Sequence, residues 1–237
     1  GVLANALTGA TLYGTAFSME LKLGSLMVLF SLVPVLMALA NLLPKAQNDG
    51  ALLREASRSL HARKLLFQQL EMAQLIEEKV PFAELPDAYF ENVNDAQYQK
   101  TFLVDYFYMV AYVRALGELD FEEADNLLQT FSANRPVKES VYWPIYLMES
   151  LFCDALFGRI VTAEEKHRQI LVHPLLKRYW YANNRIRAAY AFFCRVDIEE
   201  AKKLLGQGPA TARDSSPETD ASIEIRLYRW LSSYFEH

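Results

Sequence analysis

The chain has 237 residues, 52% of them apolar, and a formal net charge of -5 at pH 7. That length holds one or two domains, and the negative balance argues against nucleic acid as the main partner, since phosphate needs cations to neutralise it. Charge is also unevenly spread: before Pro44 the only charged side chains are Glu20 and Lys22, so two environments are expected.

Residues 2–17 are apolar but carry Asn5, Thr8, Thr11 and Thr15, which suits a helix surrounded by protein. Ala6, Ala10 and Gly14 recur every fourth residue and offer a small face for the close approach of another helix. A tight hairpin over residues 18–24 leads to residues 25–43, which are uncharged and close to the roughly 20 residues that cross a bilayer. This segment reads as a membrane span. Lys45, Arg54, Arg58, Arg63 and Lys64 follow it, and by the positive-inside rule they place residues after about 45 in the cytoplasm. Membrane lipid is then one expected partner, and Cys153 and Cys194 are expected to be free thiols in a reducing compartment.

Residues 51–79 carry Leu53, Leu60, Leu65, Leu66, Leu70, Ala73 and Ile76 in a helical rhythm, ended by Pro81 and Pro86. Residues 82–94 form an acidic connector. From Ala96 onward the chain reads as helices rich in Tyr, Phe, Leu and Ala, with an internal repeat. Leu116-Gly117-Glu118-Leu119-Asp120-Phe121-Glu122-Glu123-Ala124 aligns with the nine residues from Phe157 and with the nine from Phe193. Gly117, Gly158 and Cys194 then mark three turns at unequal intervals near the roughly 34-residue tetratricopeptide period. Residues 206–222 have the Gly, Pro and Ser content of an exposed loop. Ile223, Leu227, Trp230, Leu231, Tyr234 and Phe235 make one stripe on a final helix that caps the stack. The run from Lys177 to Arg185 mixes basic and aromatic residues, and its aromatics read as packing residues.

The expected architecture is all-α: a transmembrane helical hairpin (residues 1–50), a linking helix with the connector (51–95), and a cytoplasmic tetratricopeptide-like helical repeat domain (96–237).

Asn41, Pro44, Asp49 and Gly50 reproduce an Asn-x-x-Pro-x-x-x-x-Asp-Gly element at every fixed position. Gly1-Val2-Leu3-Ala4-Asn5 is similar to a Gly-Pro-x-x-Asn helix, with Val2 where proline is usual. In both the chain resembles the site-2 protease family of intramembrane zinc metalloproteases. The resemblance implies that Asp49 is the third protein ligand of a catalytic zinc, the other two being histidines of an H-E-x-x-H helix. It implies that Asn41 bonds substrate or an intermediate, that Pro44 stops the helix, that Gly50 permits close backbone approach and that Asn5 supports the site. Three protein ligands and a water are the open pattern that zinc hydrolysis uses. H-E-x-x-H itself does not occur: His61, His167, His173 and His237 are scattered. Zinc is therefore expected only if the histidines lie upstream of Gly1. Asp49 has a second reading as a helix cap.

On this reading the chain is the C-terminal portion of a membrane-embedded zinc protease whose repeats bind a protein substrate or regulator. The alternative is a non-catalytic, membrane-anchored helical-repeat scaffold that binds a protein partner.

Overall fold

A computed structural model describes residues 2–16, 21–43, 48–91, 96–134, 137–215 and 218–235, and every regular element among them is helical. The chain divides into two compact units, Gly1–Phe67 with Thr101–Leu103, and Gln68–Lys100 with Val104–His237.

The first unit holds α1 (Val2–Ala16), α2 (Leu21–Leu42), α3 (Asp49–Arg58) and the start of α4 (Leu60–Glu77). Helices α1 and α2 pack along each other with Gly9 at the contact, where a Cβ would stand 2.6 Å from Val35 Cγ2. Ala6 and Ala10, expected at that contact, are exposed. Among the described residues no helix is long and apolar enough to cross a membrane. This corrects the transmembrane hairpin expected over residues 1–50. With 15 residues, α1 rises only about 22 Å at 1.5 Å per residue, against a hydrocarbon core of about 30 Å. Helix α2 begins before the uncharged stretch, takes in Lys22 and carries Pro34 in its interior. The integral-membrane location, the orientation argued from Lys45 to Lys64 and the membrane anchoring all needed such a span.

Residues 51–79 are not one helix. Ser59 is extended (φ -138°, ψ 131°) between α3 and α4, and its hydroxyl accepts the N–H of Ala62. A serine hydroxyl offers helix starts this cap. Leu53, Leu60 and Leu70 of the expected stripe are exposed, whereas Ala62, Leu65 and Met72 are buried.

In the second unit two short 3-10 turns, Phe82–Glu84 and Asp87–Tyr89, occupy the acidic connector and bury Phe82, Leu85 and Tyr89. Then come α5 (Val104–Glu118), α6 (Phe121–Asn134), α7 (Trp143–Leu156), α8 (Ile160–Val172), α9 (Pro174–Ala182), α10 (Asn184–Ala189) with a π-helical turn (Tyr190–Cys194), α11 (Ile198–Ser215) and α12 (Glu218–Ser233). Hairpins form between α5 and α6, α7 and α8, and α10 and α11.

The repeat is set by how the first helix of each hairpin ends. Leu119 (φ 61°), Gly158 (φ 69°) and Val196 (φ 53°) are left-handed, the position where a helix turns out of its own axis. Leu119 N–H donates to Leu116 and Asp120 N–H to Ala115, while Gly158 N–H donates to Ala155 and Arg159 N–H to Asp154. Both are the paired Schellman bonds that use up terminal carbonyls. At the third turn Asp197 N–H reaches Ala191, one residue further back, because the π-helical turn inserts a residue. Helix α4 ends in the same way at Lys79 (φ 65°), with Val80 N–H on Leu75.

The repeat register thus pairs Leu119 with Val196, as the alignment of the first and third segments has it, and places Gly158 with them, two residues away from its alignment on Gly117. Ala124, Ala163 and Ala201 follow at matching places and are each fully buried, small enough for the two helices of a hairpin to close. Asp120 and Asp197 accept the N–H of Glu123 and Glu200 respectively, which are ordinary N-caps. Arg159 stands in their place in the second hairpin. It bonds Asp125 at 2.5 and 2.8 Å and Asp154 at 2.7 Å, and so joins α6 to the end of α7.

Residues 206–222, expected as an exposed loop, are largely helical: α11 runs to Ser215 and α12 starts at Glu218. Gly208 is there for close approach, since a Cβ would collide with the Tyr228 ring of α12. Of the aromatics in the basic run, Trp180 is buried, but Tyr179 and Tyr181 are exposed.

A branched residue in the left-handed region costs about 1–3 kcal/mol, and glycine returns part of that through unfolded-state entropy. Val196 is 76% exposed and loses little packing, so Val196→Gly is expected to raise stability by about 1 kcal/mol. Gly158→Ala is expected to lower it by a similar amount. Urea unfolding midpoints check both.

His167 stacks between Trp180 (ring centroids 4.7 Å) and Tyr190 (4.5 Å). Burial first, and then the Arg195 charge, lower its pKa below the usual value of about 6.5. The unfolded chain therefore binds this proton more readily than the folded one, and stability falls as the pH drops below about 6.5. The slope of unfolding midpoint against pH in that window is expected to flatten in His167→Gln; an unchanged slope would assign it to other groups.

Candidate functional site

Asn41 lies at the end of α2, half-buried, and Asp49 and Gly50 open α3, half-buried and buried respectively. Asn48 organises this corner. Its side chain accepts Ala51 N–H at 3.1 Å and donates to the Leu43 carbonyl at 2.8 Å, capping α3 while holding the end of α2. Asp49 is thus the first residue inside the helix, where a carboxylate complements the dipole. Pro44 lies outside the described residues; Asn5 is in α1, and its side chain is likewise outside them. No group of three or more His, Cys, Asp or Glu side chains is assembled for a metal among the described residues.

The second unit gathers a different set. Arg185, in the first turn of α10, is 1% exposed and ion-paired to Glu149 of α7 at 2.7 Å and to Glu224 of α12 at 3.0 Å. Its guanidinium stacks over Phe152, 4.6 Å from the ring centroid. Tyr112 of α5 donates its hydroxyl to the other oxygen of Glu149 at 2.6 Å. Burial alone would depress the Arg185 pKa, but the charges of Glu149 and Glu224 outweigh it and hold the side chain protonated. Burial and then Glu149 push the Tyr112 hydroxyl well up, so it remains a donor. Nη1 of Arg185 has no hydrogen-bond partner among the described residues.

Helix α12 was expected to cap the stack. It contacts α10 and α11 and also reaches α5, two hairpins back. Arg226 donates to the Gly117 carbonyl, Trp230 stacks on Phe121 at 4.3 Å, and Leu227 and Leu231 are buried. The helix covers the C-terminal end of α5.

Beside it a cavity of about 330 Å³ runs along α5. Tyr106, Met109, Val110, Val113 and Leu116 line it at the i, i+3, i+4, i+7 spacing of one helix face. Ile145, 51% exposed, stands at its edge, and Arg185, Glu149 and Glu224 are also part of its wall. Burial pushes the Tyr142 phenol, another wall group, up to about 12, so it too stays protonated. The groove is therefore apolar along α5 and polar beneath α12.

Neither thiol supplies a nucleophile. Both cysteines are free, but burial drives Cys153 up to about 12 and Cys194 up to about 11, and a thiol at such values is not a thiolate at neutral pH.

The residues that matter most here were read otherwise from sequence. Arg185 belonged to a basic and aromatic run, and Tyr112, Glu149 and Glu224 carried no motif. The signal available was Glu224 on the apolar side of the α12 stripe, next to Ile223. No protein-family model matches the chain, and no curated protein or solved structure does either.

Removing one partner of a buried ion pair costs about 3–5 kcal/mol because the other charge is left stranded. Arg185→Met is expected to cost that much in urea unfolding. Glu224→Gln, on the more exposed member of the network at 26%, is expected to cost less than half of it. Equal losses would show that the guanidinium is not the centre of the network.

Proposed function

We propose that α5 to α12 form a non-catalytic protein-binding module whose groove along α5 receives an amphipathic helical segment of a partner protein. The observation that carries this reading is the cavity along the apolar stripe of α5, in which Tyr106 and Val113 are half-buried and Met109 and Val110 are buried, beside α12, a helix of the same chain already seated on the other end of α5. Burying a helix through anchors at i, i+3, i+4 and i+7 is a recurring recognition mode, and α12 already presents Ile223, Leu227 and Trp230 in this way. The stripe from Tyr106 to Leu116 extends about 15 Å at 1.5 Å per residue, the length of nearly three helical turns. The cavity volume lies at the lower end of the range of ligand clefts, about 300–1,000 Å³.

Of the two readings of the sequence, the scaffold is preferred because it uses side chains that the fold brings together. The protease reading rests on the spacing of Asn41, Pro44, Asp49 and Gly50, and the geometry at Asn48 and Asp49 adds nothing to it.

Panning a displayed library of helical peptides against the purified chain tests the proposal. Selected sequences are expected to carry apolar residues at helical spacing, with affinity reduced about tenfold or more, at least 1.4 kcal/mol, by Val113→Glu or Ile145→Glu. Both variants are expected to keep the circular dichroism spectrum of the parent chain. Selection of no peptide, or binding indifferent to both substitutions, would reject the groove as an interface.

A further inference from the structure

The apolar cavity does not end at α12. A second cavity of about 290 Å³ adjoins it, and Phe82 and Ile223 line both. Its charged wall residues are Lys79, Arg114 and Arg226, with no carboxylate among them. Three cations converging on one pocket stand out in a chain whose net charge is -5.

These cations have different obligations. Arg114 is committed, at 2.7 Å to Asp87 and 3.4 Å to Glu118. Arg226 is exposed and donates to the Gly117 carbonyl at the end of α5; among the described residues no carboxylate pairs with it. A cation on a helix C-terminus is favourable, yet a carbonyl carries only partial charge, and the remaining guanidinium donors can take a full anion. Lys79 joins the wall from the left-handed turn that ends α4, exposed at the rim.

Resting on the groove reading above, we infer that the partner segment is acidic: its apolar residues lie along Tyr106 to Val113, and a carboxylate next to them enters the pocket of Arg226, Lys79 and Arg114. Charge complementarity selects this occupant. A basic segment would bring its charge against Arg226, which among the described residues has no carboxylate, and a neutral one would leave Arg226 facing its carbonyl alone. A carboxylate also suits a guanidinium better than any other side-chain anion does, because the planar donors meet both oxygens. The α12 helix already shows the same pairing of groups, with Ile223 against the apolar wall and Glu224 on Arg185.

The test uses the full chain and fluorescein-labelled peptides patterned on α12, with Leu and Trp at i and i+3 and with Glu, Gln or Lys at the flanking positions. Fluorescence anisotropy is expected to show the Glu peptide binding about tenfold tighter than the Gln peptide, with the Lys peptide weakest and the spread narrowing as salt is raised. Arg226→Gln is expected to remove most of the preference for Glu while leaving the affinity of the Gln peptide unchanged. Since Arg226 also caps α5, Lys79→Asn serves as a second variant, because asparagine tolerates the left-handed turn at that residue; it is expected to reduce the same preference in part. Equal affinity for Glu and Lys peptides, or a preference indifferent to both substitutions, would overturn the acidic partner while leaving the groove intact. Binding of none of the three would overturn the groove and the acidic partner together.

Discussion

A guanidinium with almost no exposed surface sits where four helices meet, and the arrangement of the second unit depends on keeping it charged and paired. Taking such a group out of water costs several kcal/mol unless its partners are close and well aimed. Arg185 meets that requirement with carboxylates from α7 and α12, with the face of Phe152, and with a tyrosine of α5 that fixes the nearer carboxylate. The partners come from three helices, Phe152 sharing α7 with Glu149. Shifting α12 by one turn would leave Glu224 away from the cation and Arg226 away from Gly117, so polar groups fix the register of an interface whose area is mostly apolar. Leu227 and Leu231 supply the burial; Glu224 and Arg226 determine where along the groove it occurs.

The same division between burial and placement governs the hairpins. Fully buried alanines at 124, 163 and 201 let each pair of helices close, but the turn before them is set by a backbone conformation. Glycine takes up the left-handed position at only one of the three turns. Leucine and valine hold it at the others, and the cost is accepted because the turn satisfies carbonyls at a helix end that water does not reach freely. The π-helical turn after α10 belongs to this account. Its extra residue moves Val196 into the left-handed position while Ala201 keeps its place in the hairpin, so an insertion is absorbed without losing register.

These features explain what could be read from the sequence. Helical periodicity in α12, the glutamates after each turn and the packing of Trp180 are properties of local spacing, and local spacing is visible in one chain. Matching Gly158 to Gly117 put the second repeat two residues out of register, because the property repeated is a dihedral angle, which Leu119 and Val196 adopt without glycine. Gly208 and Pro209 read as loop residues, yet Gly208 is the point where α11 meets a tyrosine ring, a tertiary fact with no local signature. The uncharged run after Gly24 read as a membrane span, but the helix that contains it starts earlier, at Leu21, and takes in Lys22. Asn41, Asp49 and Gly50 are placed at a corner whose capping residue, Asn48, drew no notice because the motif skips it. Arg185 was hidden most thoroughly. It lies in a run with Lys177 and Arg178, and only the turn at Asn183, whose side chain caps Ile186, sends it inward while its neighbours stay outside.

The groove follows from how α12 is anchored. Its contacts with α5 concentrate at Gly117 and Phe121, the end of one helix and the start of the next, because that is where a carbonyl and an aromatic face are available to Arg226 and Trp230. Toward its N-terminus, the same face of α5 lines a cavity that Ile76 of α4 and Ile145 of α7 also border. Met109, Val110 and Leu116 are packed in place by the fold itself, and on the proposed reading an incoming segment would meet less of the entropic cost that ordering a loose surface imposes. On that reading the selectivity of the groove would come from its ends, where charge is held in place by the contacts that hold α12: Arg185 with its two carboxylates on one side and Arg226 on its carbonyl on the other. Rearranging those ends to suit a different ligand would disturb the seating of α12, which ties the preference of the groove to the stability of the unit itself.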